Sequence, residues 1–426
     1  MAKKYIIEGS HPLKGIIQPN GNKNAALPVL AATILTDEEV ILRNIPNIED
    51  VVIMIKILEE LGKKVEKLSE HDYKFTGKIT SNSINSELGR KIRTSILFAG
   101  PILARTGEVE LPPPGGDVIG RRRLDTHFLA LSKLGCSIEI NAKYKLVTNK
   151  LVGKELFLDE ASVTGTENAI MAAVLAEGQT IIMNAASEPH VQDLCNIINK
   201  MGGNIDGIGS NILKINGVKK LHGTDFKIGT DFMEVGSLIG LAAATKSEIE
   251  ILDAEPHNMN MARLTFGKLG IRWETDGKSI FVPGHQELKV QSDIGGMIPK
   301  IDDAPWPGFP PDLVSIAIVT ATQVEGTVLV FEKMFESRMF FVDKLVSMGA
   351  KIILCDPHRA VISGPARLRG TTLTSPDIRA GMALVIAALC AEGTSTIHNV
   401  IQIERGYENL PERLKALGAH INVIDE

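Results

Sequence analysis

The sequence predicts an α/β protein built from six related modules, which divide three plus three into two similar domains. Two recurring phrases and one recurring composition predict it. The first phrase is a helix end, a glycine and a strand start: LEELGKKVE at Gly62, LSKLGCSIE at Gly135, INKMGGNID at Gly202, FGKLGIRWE at Gly270, LVSMGAKII at Gly349 and LKALGAHIN at Gly418. The second is a helix end, a tight turn and an alternating strand: LTDEEVIL from Leu35, ARTGEVEL from Ala104, LAEGQTII from Leu175, ATKSEIEI from Ala244, QVEGTVLV from Gln323 and CAEGTSTI from Cys390. Before each copy of the second phrase runs an apolar stretch rich in small residues, such as AALPVLAATIL, GSLIGLAAAT or GMALVIAALC. The glycines of the first phrase lie roughly 70 residues apart, too far for a solenoid repeat and suited to a small α/β module.

Taken in order, each module begins with the small-residue helix. It has almost no polar face, which predicts burial on all sides. The alternating strand follows. Next comes an amphipathic helix, as over 48–61 and 263–269, which belongs on the outside. Glycine then supplies the left-handed position that ends this helix, and a second strand leaves it. The predicted first domain runs 23–227 and carries a mobile loop at 111–123. The second runs 228–426 and is completed by residues 1–22, whose YIIEGSHPLKGIIQP reads as strands. The chain then crosses between domains near Asn20 and near Ile228.

Composition narrows the function classes. A chain of 426 residues exceeds one typical core. A net charge of −5 without a long basic stripe argues against a nucleic-acid partner. No apolar run reaches the roughly 20 residues of a membrane helix, and MAKKYIIEGSHPLKG lacks the apolar core of a signal peptide. Cys136, Cys195, Cys355 and Cys390 are scattered and form no CxxC pair. They read as reduced thiols, so the expected location is cytoplasmic, with no membrane partner. His127, His190 and His257 lack metal-site spacing, and the glycine pair at Gly115 lacks the setting of a nucleotide fingerprint.

The stretch 111–127, LPPPGGDVIGRRRLDTH, reads as a loop with a stiff stem and a free tip. Asp117 sits at the tip, followed by Arg121, Arg122 and Arg123, then Asp125 and His127. A carboxyl group on a movable loop beside guanidiniums suits a lid over an anionic substrate. A solvated charge run is the alternative.

Other chemistry-bearing residues gather at the starts of the six small-residue helices. They are Lys23 and Asn24; Arg93; Ser162, Thr164, Thr166 and Glu167; Asp231 and Glu234; Asp312, after APWPGFPPD; and Asp377 and Arg379. Helix N-termini present unpaired N–H groups and partial positive charge, so six of them facing one cleft would suit phosphates and carboxylates. Ordinary N-capping accounts for about half of these residues. It does not account for a lysine or arginine there, where the macrodipole repels it. A repeated unfavourable charge points to a ligand that offsets it.

The motifs NGNKNAALPVLAATILT, GGDVIGRRRLDTH, SVTGTEN, FPPDL, FESR, DIRAGMALVIAA and ERGYENL resemble the enolpyruvyl transferase family, in order and over essentially the whole chain. Within it they resemble the branch that acts on UDP-N-acetylglucosamine. The resemblance implies two similar inside-out α/β barrel domains, each of three repeats, with the active site in the cleft between them. It implies transfer of the enolpyruvyl group of phosphoenolpyruvate to the sugar 3-hydroxyl, through addition, a tetrahedral ketal and elimination of phosphate. This is the first committed step of peptidoglycan synthesis, and it needs no metal or organic cofactor. Residue by residue, Lys23 and Asn24 fall on phosphoenolpyruvate positions. Arg122 and Arg405 join Lys23 around the phosphate, and Arg338 and Arg379 grip the carboxylate. Asp312 falls on the acid that takes the sugar hydroxyl proton. Arg93, Arg123, Leu124, Asp125, Thr126, Ser162, Val163, Thr164, Asp312 and Met334 fall on UDP-sugar positions, and Asp377 joins the binding set. Asp117 falls where most members carry the loop cysteine that fosfomycin attacks. A carboxylate is a poorer nucleophile than a thiolate, so resistance to that drug is expected.

Two departures lie on the nucleotide side. GRRRLDTH stands where the family usually reads GARPVDLH, and Glu160 stands where a lysine is usual. They leave open an enolpyruvyl transferase for another acceptor, a nucleotide or shikimate 3-phosphate. A non-catalytic nucleotide-sugar-binding paralogue is the other alternative; Lys23, Asp312 and Arg405 count against it.

Overall fold

The structure, a computed structural model, describes residues 3–116 and 123–425. Two compact units divide the chain. The first comprises 21–116 and 123–229, and the second 3–20 and 230–425. Each has its own hydrophobic core.

Three small-residue helices form the middle of each unit. In the first they are Lys23–Ala32, the 3-10 turn Arg93–Phe98 running into Ala99–Thr106, and Val163–Ala173. In the second they are Phe232–Ala244, the 3-10 turn Pro311–Leu313 running into Val314–Ala321, and Ile378–Cys390. All residues of Phe232–Ala244 and Val314–Ala321 are buried, as a helix without a polar face requires. Small residues let the helices approach. A Cβ on Gly240 would stand 2.4 Å from the Ile316 side chain, and one on Gly100 2.5 Å from the Asn168 carbonyl.

Six sheets surround these helices, and all share one strand order. In four of the six the strand after a small-residue helix pairs in parallel with a segment from just before that helix; the first and fourth modules exchange these partners, Val40–Arg43 taking Thr224–Lys227 and Glu248–Ile251 taking Lys14–Ile17. The antiparallel partner is a hairpin strand from after the module's glycine, except that Thr394–His398 takes Lys3–Glu8. Thus Val40–Arg43 lies between Thr224–Lys227 and Tyr73–Thr76, with Lys64–Lys67 outermost. Gly326–Phe331 lies likewise between Lys300–Asp302 and Arg359–Gly364. In the sheet of Glu108–Leu111 the parallel place is held by a single bridge from Ser83 to Glu110. The sequence reading gave each module two strands; the structure has up to four. The extra strands, such as TDFK, are short and half-exposed, so they carry no clean alternation.

The N-terminal residues belong to the second unit. Lys3–Glu8 lies between Thr394–His398 and His420–Asp425, pairing Tyr5 with Ile397 and Val423. Lys14–Ile17 pairs in parallel with Glu248–Ile251. All six module glycines have φ between 77° and 107°, the left-handed region a side chain resists. Among the described residues, no helix is long and apolar enough to cross a membrane.

Candidate active site

In the second unit the three helix starts bring acids and arginines together. Asp231 caps Phe232–Ala244, accepting from the Met233 and Glu234 amides at 2.9 and 3.2 Å. Asp377 caps Ile378–Cys390, accepting from the Arg379 and Ala380 amides at 2.8 and 2.9 Å. Both therefore have a structural task. Asp312 differs: it takes no helix amide. Arg338 Nη2 donates to its Oδ1 at 2.5 Å, and Arg379 Nε donates to its Oδ2 at 3.0 Å. Burial alone would push the Asp312 carboxyl up, but the two guanidiniums outweigh it and hold it well below the usual carboxylate range. Asp231 lies close enough to Arg379 to add to its charge balance. Arg379 also lies over the Tyr407 ring at 5.4 Å, and the Tyr407 hydroxyl meets Ser237 Oγ at 2.8 Å.

This group has donors to spare. Arg338 Nε and Arg379 Nη1 are buried and have no hydrogen-bond partner among the described residues. An unsatisfied buried guanidinium N–H is costly, and two of them beside one carboxylate suit a second planar anion. Arg405 follows the short helix Ile401–Glu404, and its Nη1 donates to Gln402 at 3.0 Å. Met334 is partly exposed, and its amide donates to Asp303 at 3.2 Å.

In the first unit Lys23 opens its helix, and Asn22, not Asn24, is the cap, accepting from the Asn24 and Ala25 amides. The Lys23 ammonium lies 2.8 Å from Asp50, both buried. The other candidates form a second cluster. Arg93 Nη2 donates to the Arg123 carbonyl at 3.1 Å. Arg123 pairs with Asp125 at 3.1 Å and with Asp159 at 3.7 Å, and Thr126 donates to Asp159 at 2.6 Å. Leu124 precedes the helix Asp125–Lys133, and Ser162 caps Val163–Ala173 by accepting from the Gly165 amide at 3.2 Å. Thr164 Oγ1 meets His127 Nε2 at 3.1 Å, and Asn168 Nδ2 donates to His127 Nδ1 at 2.8 Å. The imidazole proton is therefore on Nε2 and is given to Thr164. Burial first and Arg93 second push His127 down to about 3, so the ring is neutral. Asp117, Arg121 and Arg122 lie outside the described residues.

One expectation is corrected. The cations at the helix starts are not left for a ligand alone to offset: Asp50 meets Lys23, and Asp312 meets Arg338 and Arg379. Sequence reasoning missed Asp50, Asp159, Asp303, Glu332, Tyr407 and Asn168. Tyr407 and Asn168 stand inside quoted motifs, ERGYENL and SVTGTEN, where they could have been found. Asp50 reads as an ordinary acid in the first turn of Glu49–Glu60, and nothing in the sequence ties it to Lys23.

Comparison with known proteins places the chain in a family. The chain belongs to the EPSP synthase (3-phosphoshikimate 1-carboxyvinyltransferase) family, whose model matches residues 7–414. Within that family it is 62% identical over 424 residues to a protein of Treponema denticola named UDP-N-acetylglucosamine 1-carboxyvinyltransferase, covering 99% of this chain and 100% of the relative. A Borreliella burgdorferi protein of the same name is 58% identical over 421 residues, covering 99% of each. In fold, the chain is similar to the enolpyruvyl transferase NikO from Streptomyces tendae, with a TM-score of 0.87, 20% identity and 99% of each chain covered. It is similar too to EPSP synthase from Acinetobacter baumannii, with a TM-score of 0.78, 16% identity and 100% of each chain covered. The two inside-out α/β units are the fold of this family.

Proposed function

We propose that this enzyme transfers the enolpyruvyl group of phosphoenolpyruvate to the 3-hydroxyl of UDP-N-acetylglucosamine and releases phosphate. The observation that carries this is full-length identity of 62% to a relative of that name. The second unit supplies a fitting anion site, two buried arginines with unused donors around one carboxylate. In this reading Arg338 and Arg379 take the phosphoenolpyruvate carboxylate, and Lys23, Asn24, Arg122 and Arg405 serve its phosphate end. Asp312 accepts the sugar hydroxyl proton as the sugar oxygen bonds to C2 of phosphoenolpyruvate. Asp117 gives a proton to C3, making the tetrahedral ketal. Asp117, left ionised, then takes a proton from C3 as Asp312 returns its proton to the departing phosphate, which restores the enol ether and both acids. Arg93, Arg123, Leu124, Asp125, Thr126, Ser162, Val163, Thr164 and Met334 hold the UDP-sugar. The reaction opens peptidoglycan synthesis, and the location is the cytoplasm.

The test is phosphate release from phosphoenolpyruvate with UDP-N-acetylglucosamine, with shikimate 3-phosphate and with no acceptor. Release with the UDP-sugar alone is expected. Release only with shikimate 3-phosphate would move the assignment to the activity for which the family model is named. No release with either acceptor would favour a binding protein.

A further inference from the structure

Asp303 and Glu332 are fully buried acids of the second unit with no part in the reaction above. Asp303 follows the strand Lys300–Asp302, and Glu332 follows its parallel neighbour Gly326–Phe331. In three other modules this position is closed by a neutral amide. Asn44 donates to the Ile228 carbonyl at 3.2 Å, Asn184 to the Leu158 carbonyl at 2.9 Å, and Asn399 to the Ser375 carbonyl at 2.8 Å. In each, the asparagine follows one strand, has positive φ, and reaches the residue just past its parallel neighbour. Here two carboxyl groups face each other instead.

The two stand side by side, each just past a paired strand end, Asp302 opposite Phe331, and no N–H or O–H donor of the described residues reaches Glu332 Oε2. Two buried carboxyl groups so placed repel as carboxylates, which favours holding one proton between them. Their remaining oxygens hold three consecutive amides. Asp303 accepts from Lys333 at 2.5 Å and Met334 at 3.2 Å, and Glu332 accepts from Phe335 at 3.2 Å. The chain held this way runs directly into Arg338, which delivers its guanidinium to Asp312.

We infer that Asp303 and Glu332 are positioning residues: a proton-sharing carboxyl pair that clamps the 333–335 turn and so aims Arg338 at the substrate carboxylate. The substrate is that of the proposed function; the clamp itself does not depend on it. The charged groups around the pair are few. Arg338 faces it from the following turn and favours the ionised form. Lys333 turns its ammonium away to Asp302 at 2.8 Å. His358, from the adjacent hairpin, donates Nδ1 to the Glu332 carbonyl at 2.8 Å. Burial first and Asp303 second raise Glu332 to about 9, above its ordinary 4.5. The sign follows: the clamp's contribution is complete below about 4.5, declines as pH rises and is gone once pH passes about 9.

The test compares wild type with Glu332→Gln, Glu332→Ala and Asp303→Asn from pH 7 to pH 10. Glutamine needs no shared proton: its amide donates to an ionised Asp303 while its oxygen still accepts from Phe335. In wild type, KM for phosphoenolpyruvate is expected to rise above pH 9 while KM for the UDP-sugar changes little. Glu332→Gln should match wild type at pH 7 and lose that alkaline rise. Glu332→Ala should raise KM for phosphoenolpyruvate about tenfold at pH 7. Asp303→Asn should raise it less. An alkaline rise unchanged by Glu332→Gln would overturn the inference. A second readout needs no turnover: the thermal midpoint of wild type should fall relative to Glu332→Gln between pH 7 and pH 10. A constant difference would overturn the clamp even if the proposed reaction stands, and the expected divergence would support it even if that reaction fails.

Discussion

Replacing Asp312 by Asn tests the arginine site most directly, because it removes one charge from between two. The side chains of Arg338 and Arg379 are only 11% and 6% exposed. Breaking a buried ion pair from one side costs about 3–5 kcal/mol. Asparagine keeps one oxygen, so one guanidinium retains a hydrogen bond, and the low end, about 3 kcal/mol, is expected. For a unit of this size each kcal/mol moves the midpoint by about 2–4 °C, which gives a fall of about 6–12 °C by scanning fluorimetry. Turnover should fall by a factor of about 100 to 10,000, the usual worth of a general base. The substitution should also raise the stabilisation given by phosphoenolpyruvate. In wild type Asp312 holds one donor of each guanidinium and neutralises part of their charge, so a substrate carboxylate on the unused donors must share what remains. That sharing also resolves a difficulty: a carboxylate held well below its usual range is a weak base. It becomes an effective one when an incoming carboxylate takes its share of the guanidinium charge. Unchanged turnover would remove Asp312 from the mechanism. An unchanged midpoint with an unchanged phosphoenolpyruvate shift would refute the ion pairs themselves.

Other perturbations follow from the same structure. Asp50→Asn leaves the buried Lys23 without its carboxylate and should cost about 2–4 kcal/mol, with a larger thermal shift on adding phosphoenolpyruvate than in wild type; equal shifts would mean Asp50 and the ligand do not compete. Asn168→Ala strips partners from His127, the Ile96 carbonyl and the Gly100 amide at once. It should cost about 3 kcal/mol in chemical denaturation, and a cost under about 1 kcal/mol would show that the network carries little. Below about pH 4 wild type should lose more stability than Asp312→Asn, because a depressed carboxyl contributes above its ordinary pKa of 3.8 and loses that contribution as pH falls. Fosfomycin should leave turnover intact, since the carboxylate of Asp117 is a poorer nucleophile than a thiolate; a mass shift on the intact protein mapping to Asp117 would falsify this.

The sixfold repeat was legible because its signals are local. A glycine at positive φ after an amphipathic helix needs only its neighbours to be recognised, and Gly62 or Gly418 reads the same in the sequence and in the fold. The same holds for the helices, whose lack of a polar face dictates burial wherever they pack. The third and fourth strands of each module were not legible: TDFK is half-exposed and gains stability from the ladder rather than from a buried face, and YKFT buries Tyr73 and Phe75 but is only four residues long. The helix starts marked where the charged residues gather, but not how they pair. Lys23 finds Asp50 through packing of two helices, and Asp312 finds Arg338 across 26 residues. No periodicity encodes such a meeting. Asp303 and Glu332 were overlooked for the opposite reason: single acids beside strands look like surface residues until their burial is known.

The internal pairs carry a consequence for how an anion site of this kind can exist before its ligand arrives. Lysine and arginine placed at buried helix N-termini are opposed by both desolvation and the macrodipole. Left bare, they would destabilise the unit that holds them. Asp50 and Asp312 remove that penalty by standing where a ligand oxygen would otherwise be needed. The same acids then oppose binding, because each already neutralises part of its cation's charge. Stability without ligand and affinity for an anionic ligand are therefore set against each other at the same atoms. Removing an acid should lower the first and raise the second, and a variant that lost or gained both together would mean that the acids and the ligand do not share these cations.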